Sequence, residues 1–287
     1  MNPEKFEQEH LSLEEQFKNP EMIELGGKTV EVIDIHPEIS KTEVPVVVAP
    51  GWAATPEVFK DNILTLAELG RRTISVNSPH GIETSEIEGL PEAELRKVAA
   101  LMEALKEKDI DQIDAIGHSE AGIYLTIAAT LYPDKFRNLV LVDPGGMIGK
   151  DKPEYLAARF SLDILRQTIR SLREHEIIKP AMKASLVAGR AVGGAPAQSL
   201  REVVAISNTQ IHDLLRGLRE KGIGISIIHA VDDKAFPMER VQKIAKKDQL
   251  NGFYSVKGTH NEFYLHPEKY TRLAEHALAA LESRKTK

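Results

Sequence analysis

The sequence predicts an α/β fold: a mostly parallel sheet of eight strands with helices on both faces and an inserted helical cap. Three observations predict it. Short apolar runs alternate with helical patterns through residues 21–146 and again through 220–287. Several of these runs, such as Val44-Pro45-Val46-Val47-Val48-Ala49, are continuously apolar, as expected of strands covered on both faces. Between 147 and 219 the strand signal stops and helical patterns follow one another.

The elements read in order as follows. Residues 1–20, with Leu11, Leu13 and Phe17 among glutamates, read as an amphipathic helical extension. Runs at 21–25 and 29–35, separated by Gly26-Gly27-Lys28, suggest a hairpin. The strand at 44–49 ends in Pro50-Gly51-Trp52, and a helical pattern covers 56–69. A strand at 72–76 leads into Asn77-Ser78-Pro79-His80-Gly81, and a helix at 92–108 puts Leu95, Val98, Leu101, Met102 and Leu105 on one face. The strand at 112–117, a helix to about 132 and a strand at 136–142 close the first half, the last ending in Asp143-Pro144-Gly145-Gly146. The cap carries helical patterns at 154–173, 179–188 and 197–207, interrupted by Pro180 and by Gly193-Gly194-Ala195-Pro196. A strand at 224–230, a helix at 238–247, a strand at 252–256 and a helix at 267–284 complete the core.

Bulk properties narrow the function. A length of 287 residues suits one large domain with an insertion. The net charge of −6 gives no reason to expect nucleic acid as a partner. The absence of cysteine excludes disulfides, thiolate catalysis and cysteine metal sites. An acidic, polar N-terminus and the lack of a long apolar run predict a cytoplasmic protein without a signal peptide or membrane span. No His and carboxylate cluster has metal-ligand spacing and no glycine loop binds nucleotides, so neither metal nor cofactor is expected. The expected partner is a small-molecule substrate. Between Lys150 and Arg201 stand ten Lys or Arg against five Asp or Glu, a solvated face or a rim that attracts anions.

The chemistry concentrates in Gly117-His118-Ser119-Glu120-Ala121-Gly122, where an apolar strand meets an apolar helix. A serine flanked by small residues at such a junction fits a nucleophile elbow, whose usual form is G-x-S-x-G; Ala121 departs from it mildly. Asp233 and His260 also stand where strands meet loops, beyond the carboxyl ends at which α/β sheets gather their ligands. A serine hydroxyl needs a histidine to take its proton, and the histidine needs a carboxylate to hold its tautomer and stabilise its cation.

With these residues in place, the chain resembles the α/β-hydrolase superfamily from about residue 21 to 276. The resemblance rests on Pro50-Gly51-Trp52, Pro79-His80-Gly81, Gly117-His118-Ser119-Glu120-Ala121-Gly122, Asp233-Lys234-Ala235-Phe236-Pro237 and Gly258-Thr259-His260. It implies Ser119 as nucleophile, His260 as general base and acid, and Asp233 as the orienting carboxylate, with Asp143 as the rival acid. It also implies an oxyanion hole from the backbone N–H groups of Trp52 and Glu120, although Pro50 stands where the family often has histidine. His118, His80 and His229 are expected to pack or support turns, and the Glu120 side chain to lie at the pocket edge or in an ion pair. The implied activity is hydrolysis of carboxylic esters through an acyl-enzyme, with Leu156, Phe160, Leu162 and Leu165 of the cap favouring a small to medium apolar group. Thioester or carbon–carbon cleavage, peptide hydrolysis and acyl transfer use the same triad, and a non-catalytic ligand-binding protein can share the fold.

Overall fold

Eight strands form where the sequence concentrates its β-branched and apolar residues, in a computed structural model that describes residues 11–171 and 173–285. Strands β1 (Glu21–Leu25) and β2 (Lys28–Ile35) pair antiparallel about Gly26 and Gly27, both at positive φ (57° and 72°), a conformation glycine adopts without strain. Then follow β3 (Val46–Ala49), β4 (Thr73–Asn77), β5 (Ile113–His118), β6 (Phe136–Val142), β7 (Gly224–Ala230) and β8 (Gly252–Val256). The order across the sheet is β1-β2-β4-β3-β5-β6-β7-β8, and β2 alone runs against the rest. From β3 the chain passes first to β4 on one side and then back to β5 on the other. The loops after β3 and β5 therefore face each other at a topological switch point, where open α/β sheets place their sites.

The pleat divides the core into two layers. Val46, Val48, Ile116 and Val140 face helices α2 (Lys60–Glu68) and α11 (Pro267–Lys285), with Phe59, Ile63 and Leu278 between them. Val47, Ala115, Leu139 and Leu141 face α3 (Glu92–Glu107) and α4 (Ala121–Leu131), with Leu101, Leu105 and Leu125. Of the expected helix over 1–20, residues 1–10 lie outside the described residues. Leu13–Lys18 forms α1, closed by a capping box in which Ser12 and Glu15 satisfy each other's backbone N–H, and it buries Phe17.

Between β6 and β7 lie α5 (Pro153–Ser171), α6 (Ile178–Gly194), α7 (Pro196–Asn208) and α8 (His212–Glu220). Of the two interruptions expected there, one breaks the helix. Pro180 falls in the first turn of α6, where a missing N–H costs nothing, so the helix continues through it to Gly194. The break comes at Ala195, outside the helical region at φ −146° and ψ 65°, with Pro196 opening α7. Helix α8 packs on α4 and gives Leu215 and Leu218 to the core. Helix α9 (Met238–Lys247) follows β7, and the single turn α10 (Glu262–Leu265) follows β8. Among the described residues no helix is long and apolar enough to cross a membrane.

Candidate active site

Ser119 directly follows β5 at φ 58°, a left-handed conformation that non-glycine residues rarely adopt. The turn is held by its neighbours: the Ser119 N–H donates to the Val142 carbonyl and the Gly145 N–H donates to the Ser119 carbonyl, both at 2.9 Å. A Cβ at Gly117 would lie 2.6 Å from Leu125 Cδ1 and 3.1 Å from the Ala121 carbonyl carbon. A Cβ at Gly122 would lie 2.7 Å from Pro144 Cβ. The tight crossing with the loop after β6 thus falls at 122, and position 121 accommodates the methyl of a fully buried Ala121.

His260, in the loop after β8, brings Nε2 to 2.9 Å from Ser119 Oγ. Its Nδ1 lies 2.9 Å from Asp233 Oδ2, in the loop after β7. The other Asp233 oxygen accepts from the Phe236 N–H at 2.9 Å. A carboxylate at Nδ1 places the ring proton there and leaves Nε2 of the neutral ring to accept from the serine hydroxyl. The structure therefore brings Ser119, His260 and Asp233 into one hydrogen-bonded chain, all three at most 4 % exposed. Burial works against the charged form of the His260 ring, but Asp233, by charge and hydrogen bond, with Asp143 and Asp163, outweighs it and raises its pKa to about 9. Burial alone would raise Asp233; the charge and hydrogen bond of His260 hold it below its ordinary value.

The histidine loop is built by residues whose part the sequence concealed. The N–H and hydroxyl of Thr259 both donate to Glu262 Oε1, at 2.9 and 3.1 Å. His118 Nε2 donates to the His260 carbonyl at 2.9 Å; burial, followed by the His260 charge, drops its pKa to about 3 and keeps it neutral. Its position beside the serine was the only signal in the chain.

Asp143 lies near but is engaged elsewhere. Its Oδ1 accepts from the Ala230 N–H at 2.7 Å and stands 3.2 Å from His229 Nδ1. Burial, then the charge of Asp233, pushes its pKa well up, against the opposing pull of His260 and the Ala230 N–H. His229 Nε2 donates to the Phe236 carbonyl at 2.8 Å. Two triplets, His118 with Asp143 and His260, and Asp143 with His229 and Asp233, bring possible ligand atoms within 4.8 Å of one another. The bonds just described already engage Nε2 of His118 and of His229 and one oxygen of Asp143.

Across from Ser119, the loop after β3 passes so close that a Cβ at Gly51 would lie 2.8 Å from the His118 carbonyl oxygen and 3.0 Å from Ser119 Cβ. The Tyr124 hydroxyl donates to the Pro50 carbonyl at 3.1 Å and fixes this approach. Among the described residues, the backbone N–H groups of Trp52 and Glu120 donate to no protein acceptor. Glu120 N–H stands at the start of α4, where the helix dipole favours negative charge. The Glu120 side chain is not at the pocket edge. It is fully buried and paired with Lys97, near Glu94 and Glu202, and burial raises its pKa.

A cavity of about 490 Å³ opens over Ser119 and His260, walled by Trp52, Phe160, Ile164 and Met182. The expectation for the cap residues needs correction. Phe160 lines the cavity, but Leu162 and Leu165 are not part of its wall and Leu156 is buried in the core. Helical phase is the reason: one flank of α5 carries 160 and 164 to the cavity, which turns 162 and 165 outward.

A family model described as the alpha/beta hydrolase fold matches residues 44–184. Among solved structures, a bromoperoxidase from Bacillus anthracis is 17 % identical with a TM-score of 0.67, covering 91 % of this chain and 100 % of that one. A thermophilic esterase from Thermogutta terrifontis, with malate bound, is 17 % identical at a TM-score of 0.66, covering 92 % and 99 %. The enol-lactonase from Burkholderia xenovorans is 12 % identical at 0.67, covering 90 % and 100 %.

Proposed function

We propose that this chain, which has the α/β-hydrolase fold and matches that family's model over residues 44–184, is a serine hydrolase cleaving small to medium carboxylic esters through an acyl-enzyme. The observation that carries this reading is the pair of 2.9 Å contacts joining Ser119 Oγ to His260 Nε2 and His260 Nδ1 to Asp233. Ser119 Oγ attacks the ester carbonyl while its proton passes to Nε2. The N–H groups of Trp52 and Glu120 receive the oxyanion. His260 then protonates the departing alkoxide, and water, deprotonated by the same nitrogen, releases the acid and restores the serine. The apolar wall of Trp52, Phe160, Ile164 and Met182 suits an apolar acyl or alcohol group. The esterase and the enol-lactonase among the similar structures favour the same bond type.

A series of p-nitrophenyl esters from acetate upward tests this. Hydrolysis of the short and medium members with a decline at long chains is expected. Silence on every ester, with Ser119 still reactive toward a phosphonate, moves the substrate to a thioester or another bond cleaved by the same residues.

Two further outcomes follow. The base must be neutral, and its neighbours raise its pKa to about 9. Activity should therefore be lost as pH falls and should rise from neutrality toward about pH 9, which initial rates across pH 6–10 measure. A flat profile over that range contradicts it. Gly51→Ala should lower kcat by about 100-fold, because the methyl displaces the loop that presents Trp52 N–H to the oxyanion. Kinetics of the folded variant check this; a kcat within about threefold of wild type removes the loop from the mechanism.

A further inference from the structure

Helix α5 lays one stripe of side chains along the two loops that hold Asp233 and His260. Arg159 Nε donates to the Ala235 carbonyl at 3.1 Å. Phe160 sets its ring edge-on to His260, 5.5 Å between centroids. The Gln167 side-chain oxygen accepts from the Asn261 amide at 2.7 Å, and Arg170 pairs with Glu262. Asp163 lies on this stripe, three residues after Phe160 and four before Gln167, which places it against the same loops. It is 1 % exposed, and neither carboxylate oxygen has a hydrogen-bond partner of normal geometry.

A buried carboxylate that the backbone amides of Lys234 and His260 approach, but that no Lys or Arg among the described residues pairs with, is costly and calls for an explanation. The charged and titratable groups facing it are His260 and Tyr264 from the histidine loop and α10, Asp233 from the loop after β7, and Asp143 beyond. His260 alone among them can become a cation. Arg159 and Arg170, on the same helix, are committed to Asp151 and to Glu262 with Glu174. Burial raises the Asp163 pKa to about 6, while the His260 charge and the nearby amides of Lys234 and His260 oppose that rise.

We propose that Asp163 is a positioning residue: a second carboxylate, delivered by the helical insertion, that stabilises the protonated imidazole of His260. Asp233 holds the ring by hydrogen bond, whereas Asp163 acts on it through charge and does not line the cavity. The insertion thus completes the electrostatics of the base as well as walling the pocket. The kinetic consequence rests on the proposed hydrolase function; the effect on the imidazole does not.

The test is the titration of His260 by NMR of histidine-labelled protein, assigned by a His260→Gln difference, in the wild type, Asp163→Asn and Asp163→Leu. Either substitution should lower the His260 pKa by about 0.5–1 pH units. The acid limb of activity should move to lower pH by the same amount, with kcat reduced about three- to tenfold and KM unchanged. Gln167→Leu breaks the neighbouring contact without removing charge and should leave the titration in place. An unchanged or raised His260 pKa in a folded Asp163 variant overturns the proposal, and so does an equal shift in Gln167→Leu. If the wild type proves inactive, the hydrolase reading fails while the titration still decides the role of Asp163.

Discussion

Ser119→Ala should lower ester hydrolysis by about 10⁵–10⁶-fold with the fold intact. The substitution deletes only Oγ, the atom 2.9 Å from His260 Nε2. Alanine meets much the same cost as serine at φ 58°, so the turn has no new reason to relax. The backbone bonds to Val142 and from Gly145 remain. A melting temperature within a few degrees of wild type should accompany the loss, and that combination separates chemistry from stability. A ligand-binding protein on the same scaffold would show no turnover to lose. Steady-state kinetics with a short aryl ester, alongside thermal melts, read both quantities.

The next largest loss is expected from Asp233→Asn, about 10⁴-fold in kcat. An amide in place of the carboxylate turns an N–H toward His260 Nδ1, which drives the ring proton to Nε2 and leaves nothing to accept from Ser119. It also removes the main charge that favours the imidazolium. Asp143→Asn is the contrast. That residue spends its Oδ1 on the Ala230 N–H beside His229 and makes no hydrogen bond to His260, so its loss should reduce kcat by less than about tenfold. The reverse ranking would make Asp143 the orienting acid. Both variants are read by kcat and by the pH at half-maximal rate.

The parts of the protein legible in its sequence are those set by local chemistry. Continuous β-branched runs such as Val46–Ala49 mark strands covered on both faces, and their alternation with helical patterns gives the parallel sheet. Small residues around Ser119 mark a turn that larger ones would block, as the close contacts at Gly117 and Gly122 bear out. Asp233 and His260 stand at strand ends, and the sheet carries them to the same edge. What stayed hidden depends on how elements pack. The phase of α5 follows from the face it rests on the loop at 259–266, so Ile164 and Met182 replace Leu162 and Leu165 at the cavity. The Glu120 carboxylate turns inward because Lys97 and Glu94, on a separate helix, stand beneath it. His118 bonds to a carbonyl 142 residues away, a partner no local pattern announces. Pro180 misled for the opposite reason: a proline breaks a helix interior but suits a first turn, and position alone decides between them.

The central claim, that Ser119 is a nucleophile activated by His260, is tested most directly by intact-mass analysis after treatment with a fluorophosphonate. One adduct on the wild type, absent from Ser119→Ala and from His260→Ala, is the predicted result. No adduct on folded wild-type protein, together with no hydrolysis of a short aryl ester, or an adduct that survives Ser119→Ala, would contradict it.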